Sequence, residues 1–216
     1  MKFPRLFVQN GLQARKDAIE VLNKYFKLLN VKDYCNVMDV GCGPGNVSHD
    51  LLYPLLPNTT KKFIGIDISP KMIEFANHNY RKSSKIKFSV MDIVTDNIPE
   101  NYKAEFDHII SLYCLHFVND HRKALLNMHT MLKPGGNVLL NFMANRVFMD
   151  IYKRMAEMTE WKTHFQKLKE IEPPTEYCDN SKIYYEGLLR EIGFEPHLCF
   201  ETKKYMCILK NYLQIR

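Results

Sequence analysis

Hydrophobic positions along the chain recur at two different spacings, and these spacings predict alternating helices and strands. Between Gly11 and Leu29 the apolar residues are three or four positions apart, as on one face of an amphipathic helix. The run NVMDV at 36–40 is short and apolar, which is typical of a buried strand. The same reasoning predicts four further strands, in KKFIGIDIS, KIKFSVMD, FDHIISLYCL and NVLLNF.

Caps and helix breakers predict where the intervening helices begin and end. Ser69 followed by Pro70 is a typical N-cap and first helical position. Pro54 stops the helix that begins near Asn46, and KPGG stops the helix that ends near Leu132. Strands that alternate with helices of about ten residues imply parallel strands joined by helical crossovers. The predicted fold class is therefore α/β, with a doubly wound, mostly parallel, Rossmann-like sheet.

The last part of the chain leaves two arrangements of the sheet open. KIYYEGLLREIGF predicts a helix that stops at Gly193, and EPHLCFETKKYMCIL supplies a sixth strand. If residues 194–209 form one strand, the sheet lacks its last strand, and the fifth strand either has an open edge or pairs with the sixth strand. If they form a hairpin, a seventh strand is present.

Composition predicts a soluble protein of one domain. The 216 residues are 46% hydrophobic and 25% charged, and no apolar run approaches the roughly 18 residues that span a bilayer. The first residues lack the apolar core of a secretory signal, so we expect a cytoplasmic location. The pattern does not indicate an oligomeric state.

Cysteine spacing and charge argue against several classes of function. The six cysteines are scattered without a C-x-x-C pair, which argues against a metal site and against a disulfide framework. The net charge of +6 could favour nucleic acid, but the lysines are interleaved with acids. A solvated surface is the favoured interpretation, and we do not expect nucleic acid as a partner.

A glycine-rich turn follows the first predicted strand, in the segment MDVGCGPGNVS at 38–48. Its glycines, Gly41, Gly43 and Gly45, do not have the G-x-G-x-x-G spacing that binds a dinucleotide pyrophosphate. Asp39 would also repel a phosphate. S-adenosylmethionine carries an α-ammonium, a sulfonium and no phosphate, so a carboxylate beside a backbone that a ligand can approach suits it.

Two further acids follow the next strands. Asp67 ends the second strand, where it can accept hydrogen bonds from ribose hydroxyls, and Asp92 ends the third, near the expected adenine amino group. Either acid alone could be a turn or helix cap. Because parallel strands end at one edge of the sheet, the three carboxylates together predict a nucleoside cofactor site.

Four segments together resemble motifs of class I S-adenosylmethionine-dependent methyltransferases: MDVGCGPG, GIDIS, SVMDI and LKPGGNVLLNF. The resemblance implies a helical cap over 1–33, a cofactor-binding core over 34–142, and acceptor-side helices with the terminal strand or strands over 143–216. It also implies a set of residues that bind S-adenosyl-L-methionine: Asp39, Gly41, Cys42, Gly43, Gly45, Asp67, Ile68, Met72, Asp92, Ile93 and Leu112.

Two segments are similar to those of the insect juvenile hormone acid O-methyltransferases: LFVQNGLQARKDAIEVL and SLYCLHFVNDHRKAL. This similarity implies methylation of the carboxylate of a small apolar acid, such as a farnesoic-type or fatty acid. In that family a glutamine, matching Gln13, and the tryptophan of a Leu-His-Trp triplet position the carboxylate. Here the triplet ends in Phe117, whose ring cannot donate a hydrogen bond.

Several alternatives remain open on the acceptor side. His116 either faces the acceptor as a hydrogen-bonding or basic group or caps the end of the fourth strand. The acceptor could instead be RNA, protein or another small molecule, or the chain could bind the cofactor without catalysis. A methionine-rich apolar stretch after the fifth strand either packs as a helix or covers an apolar acceptor: Phe142, Met143, Phe148, Ile151, Tyr152, Met155, Met158, Trp161 and Phe165.

Overall fold

The computed structural model describes residues 3–81, 84–144, 149–165, 174–175, 178–202 and 206–212. The helices are α1 (Pro4–Asn10), α2 (Leu12–Tyr25), α3 (Pro70–Tyr80), α4 (His121–Met131), α5 (Met149–Glu157) and α6 (Ser181–Ile192). The strands are β1 (Asn36–Val40), β2 (Lys62–Asp67), β3 (Ile86–Val90), β4 (Phe106–Leu112), β5 (Leu132–Phe142), β6 (Phe194–Glu201) and β7 (Met206–Tyr212). The predicted α/β class is confirmed.

The strands form one sheet in the order β3-β2-β1-β4-β5-β7-β6. Strands β1 to β5 pair in parallel, and β7 is antiparallel to both of its neighbours. Chain order reverses between β1 and β4, which is where sheets of this kind bind ligands.

The end of the chain forms a hairpin, so the single-strand alternative for residues 194–209 is wrong. Strand β7 lies between β5 and β6 and is antiparallel to both, pairing Phe142 with Met206 and Asn137 with Asn211. The buried strand β5 therefore has a partner on both edges, which removes the open apolar edge that a missing strand would leave.

Two predicted element boundaries differ from the structure. Strand β5 begins at Leu132, before the predicted segment NVLLNF. The residues KPGG are the first part of this strand and do not form a loop between α4 and β5. The pairing register with β4 shifts between Phe106 and His108 to accommodate it. The segment after the glycine turn is a π-helical turn over Ser48–Leu52, and a 3-10 turn that contains Pro54 follows.

The core lies on both faces of the sheet, because successive strand residues point to opposite sides. Val37 of β1 packs on the side of α2 and α3, in a cluster with Val21 and Ile73. The next residue, Met38, packs on the side of α4 and α6, in a cluster with Met128. Among the helices in the described ranges, none is long and apolar enough to cross a bilayer.

Candidate active site

A cavity of about 540 Å³ lies at the carboxyl ends of β1, β2 and β4. The glycine turn forms its floor, and α1 and α2 contribute to its wall through Phe7, Ala14 and Ala18. Most of the residues predicted to bind the cofactor line it: Asp39, Gly41, Cys42, Gly43, Asp67, Ile68, Asp92, Ile93 and Leu112.

The three glycines of the turn have positive φ angles but different surroundings. At Gly41 (φ 76°) a Cβ would lie 2.2 Å from Cys114 Sγ, so a side chain is excluded by both conformation and space. Gly43 (φ 55°) faces open space, and only Phe7, at 4.0 Å, would be near a Cβ. Gly45 lies away from the cavity, where a Cβ would be 2.8 Å from Ala76 of α3. Gly43 therefore lets a ligand approach the backbone, whereas Gly45 lets α3 pack against the turn.

Asp67 is held in place by two backbone N–H groups. Gly43 N donates to Asp67 Oδ2 at 3.0 Å, and Ser69 N donates to Asp67 Oδ1 at 2.8 Å. The side chain is 8% exposed, so its orientation is fixed before any ligand arrives. Met72, also predicted to touch the cofactor, is instead buried in α3, where its N–H donates to Ser69 Oγ at 3.5 Å.

Asp39 is almost completely buried at the end of β1. Burial raises the pKa of its carboxyl to about 7, and the hydrogen bond from the Ser48 hydroxyl opposes this effect. The nearby charge of Asp67 raises the pKa of Asp39 further. A cation bound in the cavity would favour the ionised form of Asp39.

Asp92 both caps a turn and lines the cavity. Val94 N donates to Asp92 Oδ1 at 3.0 Å, and Thr95 N donates to the Asp92 carbonyl at 3.1 Å. A buried amide that the sequence pattern did not single out supports the same loop, because Asn127 Nδ2 donates to the carbonyls of Ile93 and Thr95. Both interpretations of Asp92 are therefore compatible with its place.

Comparison with known proteins places this sheet and cavity in a family. A family model described as "Methyltransferase domain" matches residues 31–208. The chain belongs to this methyltransferase family. The resemblance stated from the sequence motifs is confirmed, and the class I methyltransferase fold with it.

Two relatives in this methyltransferase family are juvenile hormone acid O-methyltransferases. The chain is 36% identical to that of Drosophila melanogaster over 162 residues, which are 74% of this chain and 54% of the relative. It is 28% identical to that of Bombyx mori over 188 residues, which are 86% of this chain and 66% of the relative. The chain thus spans 54% and 66% of the length of these relatives.

A solved structure has the same fold over nearly its whole length. The TehB-like S-adenosylmethionine-dependent methyltransferase of Corynebacterium glutamicum superposes with a TM-score of 0.61 at 14% identity, covering 97% of both chains. At that identity the likeness concerns the fold alone.

The acceptor-side residues of this methyltransferase are only partly brought to the cavity. Phe117 lines the cavity and is 60% exposed, so it lies at the mouth. His116 is 2% exposed and does not line the cavity; its ring lies 4.2 Å from that of Phe117 and 5.6 Å from that of Tyr113. This placement resembles the strand-capping alternative more closely than a base that faces the acceptor.

Gln13 does not line the cavity either. Gln13 is an exposed residue, and its Nε2 donates to Asp17 Oδ1, one turn further along α2, at 2.9 Å. Asp17 is 3% exposed and also accepts a hydrogen bond from Tyr113 Oη. The sequence contained a signal for Asp17, which shares the inner face of α2 with Ala14 and Val21. The role of Tyr113 depends on packing between distant segments, and no local pattern indicates it.

Two thiols, Cys42 and Cys114, also line the cavity. Burial raises the pKa of Cys42 well above its ordinary value and that of Cys114 to about 12. Both thiols therefore stay protonated at neutral pH, which argues against a thiolate nucleophile in this site.

The methionine-rich stretch contributes nothing to the cavity lining within the described ranges. Three of its residues are exposed: Ile151, Met158 and Trp161. The rings of Tyr152 and Phe165 stack with their centroids 5.4 Å apart. This part of the chain therefore packs partly on itself. Phe148, predicted to belong to the same stretch, lies outside the described residues.

Proposed function

We propose that the protein uses S-adenosyl-L-methionine to methylate the carboxylate of a small apolar acid. The observation that carries the proposal is the cavity, in which three carboxylates from three successive strand ends surround an open glycine turn. The two relatives named as juvenile hormone acid O-methyltransferases support the type of acceptor.

The lining residues fit this cofactor. The cavity volume of about 540 Å³ lies within the roughly 300–1,000 Å³ of small-molecule sites. Asp67, fixed by two backbone N–H groups, retains lone pairs for the hydroxyls of a ribose. Asp39 favours a positive group, and the open space above Gly43 admits a ligand close to the backbone. The same carboxylates disfavour a phosphate-bearing ligand.

The protein's own contribution to the reaction is alignment and exclusion of water. When bound, the cofactor supplies an electrophilic methyl group on a sulfonium. A carboxylate acceptor is ionised at neutral pH, so the chain need not provide a base, in agreement with the buried position of His116. Part of the cavity wall is apolar, because it is formed by Leu112, Phe117 and Val118. A cavity that holds the cofactor and the acceptor side by side lowers the activation barrier of methyl transfer chiefly through proximity.

The decisive test separates cofactor binding from methyl transfer. Calorimetric titration with S-adenosylhomocysteine measures the first. Transfer of a labelled methyl group to farnesoic-type acids, fatty acids and bulk RNA measures the second, with the corresponding alcohols as matched acceptors that lack the carboxylate. Product with acids but not with alcohols supports the proposal. Product with RNA alone, or tight binding without product, contradicts it.

A further inference from the structure

Two side chains outside the predicted machinery join α2 to the turn after β4. Tyr113 Oη donates to Asp17 Oδ2, and Gln13 Nε2 donates to Asp17 Oδ1 at 2.9 Å. The bonded residues Asp17 and Tyr113 are 96 positions apart in the sequence. Because Asp17 is 3% exposed, protein groups and not bulk water must satisfy its carboxyl group. The bond is therefore a tertiary tie between α2 and the turn after β4.

The backbone at Tyr113 is also constrained. Its φ is 58°, a left-handed conformation that bulky residues rarely adopt. Its N–H donates to the carbonyl of Asn141 on β5 at 2.7 Å. Unusual backbone of this kind persists only where the surroundings hold it, and it occurs preferentially at functional sites.

One end of the tie lines the cavity, and the other end lies next to residues that line it. Tyr113 lines the cavity itself, and so does Phe117 on the same turn. Helix α2 contributes Ala14 and Ala18 to the cavity lining. Ala14 precedes Asp17 by about one helical turn, and Ala18 is the next residue after Asp17. The hydrogen bond therefore links the two parts of the cavity wall that α2 and the turn after β4 provide.

We propose that Tyr113 and Asp17 form a latch that holds α2 over the cavity and thereby positions the acceptor. Gln13 is part of this device, since its amide fastens Asp17 and its side chain does not line the cavity. All three are positioning residues that act through α2. The kinetic part of this inference rests on the proposed function, whereas the structural part does not.

The chemistry of Asp17 provides a matched pair of variants. In Asp17→Asn the side-chain oxygen still accepts from Tyr113, and the new amide nitrogen can donate to Gln13 once the Gln13 amide has turned over. Asp17→Leu has a similar volume and cannot accept either hydrogen bond. The first variant keeps the latch, and the second removes it.

Hydrogen exchange of the ligand-free protein, read by mass spectrometry, tests the latch directly. Tyr113→Phe and Asp17→Leu are expected to speed amide exchange in α2 about tenfold, and the double variant no more than either single one. Asp17→Asn and the control Tyr102→Phe are expected to match the wild type. Tyr102 packs edge-on against Phe106, at the opposite end of β4. Exchange in α6 should not change.

Steady-state kinetics test the positioning role. Tyr113→Phe is expected to lower kcat/KM for an accepted acid about tenfold, mainly through a higher KM, and Asp17→Asn to leave it near the wild-type value. A role confined to stability would reduce the folded fraction, hence kcat, at unchanged KM.

The outcomes separate this inference from the function on which it builds. Failure of the wild type to bind S-adenosylhomocysteine would remove the proposed function, and the exchange rates would still decide whether the latch exists. Additive effects in the double variant, or Tyr113→Phe behaving like Tyr102→Phe, would overturn the latch itself.

Discussion

At the scale of single residues, Asp39 is a cavity group whose pKa is raised into the neutral range. Its carboxyl is buried, receives a hydrogen bond from Ser48, and has a pKa of about 7. The folded protein therefore holds a proton that the unfolded chain releases at much lower pH, so ionising Asp39 in the folded state costs stability.

The pH dependence of stability follows from this shift. Below about pH 4 Asp39 is protonated in both states; as pH rises towards 7 the wild type loses stability that Asp39→Asn keeps. We expect Asp39→Asn to be more stable by up to about 4 kcal/mol at pH 8, with a much smaller difference at pH 4. Denaturant unfolding at both pH values measures this, with exposed Asp33→Asn as control. A difference that does not vary with pH would contradict the assignment.

The second prediction at this scale concerns Phe117. Restoring an indole N–H by Phe117→Trp adds a donor for the acceptor carboxylate, a bond of about 1.5–3 kcal/mol that weakens as the ester forms. We expect KM for an apolar acid to fall about tenfold with little change in kcat. Phe75→Trp, outside the cavity, controls for the added ring. A large rise of kcat at constant KM would show that the bond acts in the transition state instead.

At the scale of elements, the close approach of α3 to the glycine turn depends on one missing side chain. Gly45 has φ 84°, and a Cβ there would meet Ala76 at 2.8 Å and the Phe88 ring at 3.1 Å. Neither neighbour has room to retreat, because Ala76 and Phe88 are both buried in the core.

Gly45→Ala is therefore expected to destabilise the protein by about 2–4 kcal/mol, from overpacking and the left-handed backbone together. Gly187→Ala is the matched control. Gly187 lies within α6, where no atom is within 4 Å of an added Cβ, so alanine should stabilise the helix by roughly 0.5–1 kcal/mol. Chemical denaturation gives both values. Equal effects of the two substitutions would rule out the packing explanation.

Elements with strong local signals were predictable from the sequence. Ser69 caps α3, and Gly193, at φ 102°, ends α6, as their residue types indicate. The early start of β5 and the π-helical turn at Ser48–Leu52 were not predictable, because pairing with β4 decides the first and the burial of Ser48 and Leu52 the second. The three acids were predicted to meet because parallel strands end at one edge. The position of Gln13 relative to the cavity depends on how α2 is oriented about its own axis. The spacing of residues in the sequence does not determine that orientation.

At the scale of the whole molecule, β7 joins β6 to the rest of the sheet. Val138, Leu139, Leu140 and Phe142 of β5 are fully buried, and β7 pairs with the edge of that strand. The sequence pattern left the presence of this strand open, since a strand is identified by its long-range partner as much as by its own residues.

Truncation after Glu201 is the corresponding prediction. Removing β7 exposes the β5 edge, so we expect self-association or aggregation, seen as increased mass in size-exclusion chromatography with light scattering. Truncation after Tyr212 retains every pairing of β7 and is the control. A monomeric shorter variant with an unchanged unfolding transition would show that β7 is dispensable.

The order of the strands also constrains how the protein is made. β7 follows β6 along the chain, yet it lies between β6 and β5. As the polypeptide leaves the ribosome, β6 emerges before the strand that must separate it from β5. Docking β6 directly onto β5 at that moment would occupy the edge that β7 needs, so this edge of β5 must be free when β7 has been synthesised.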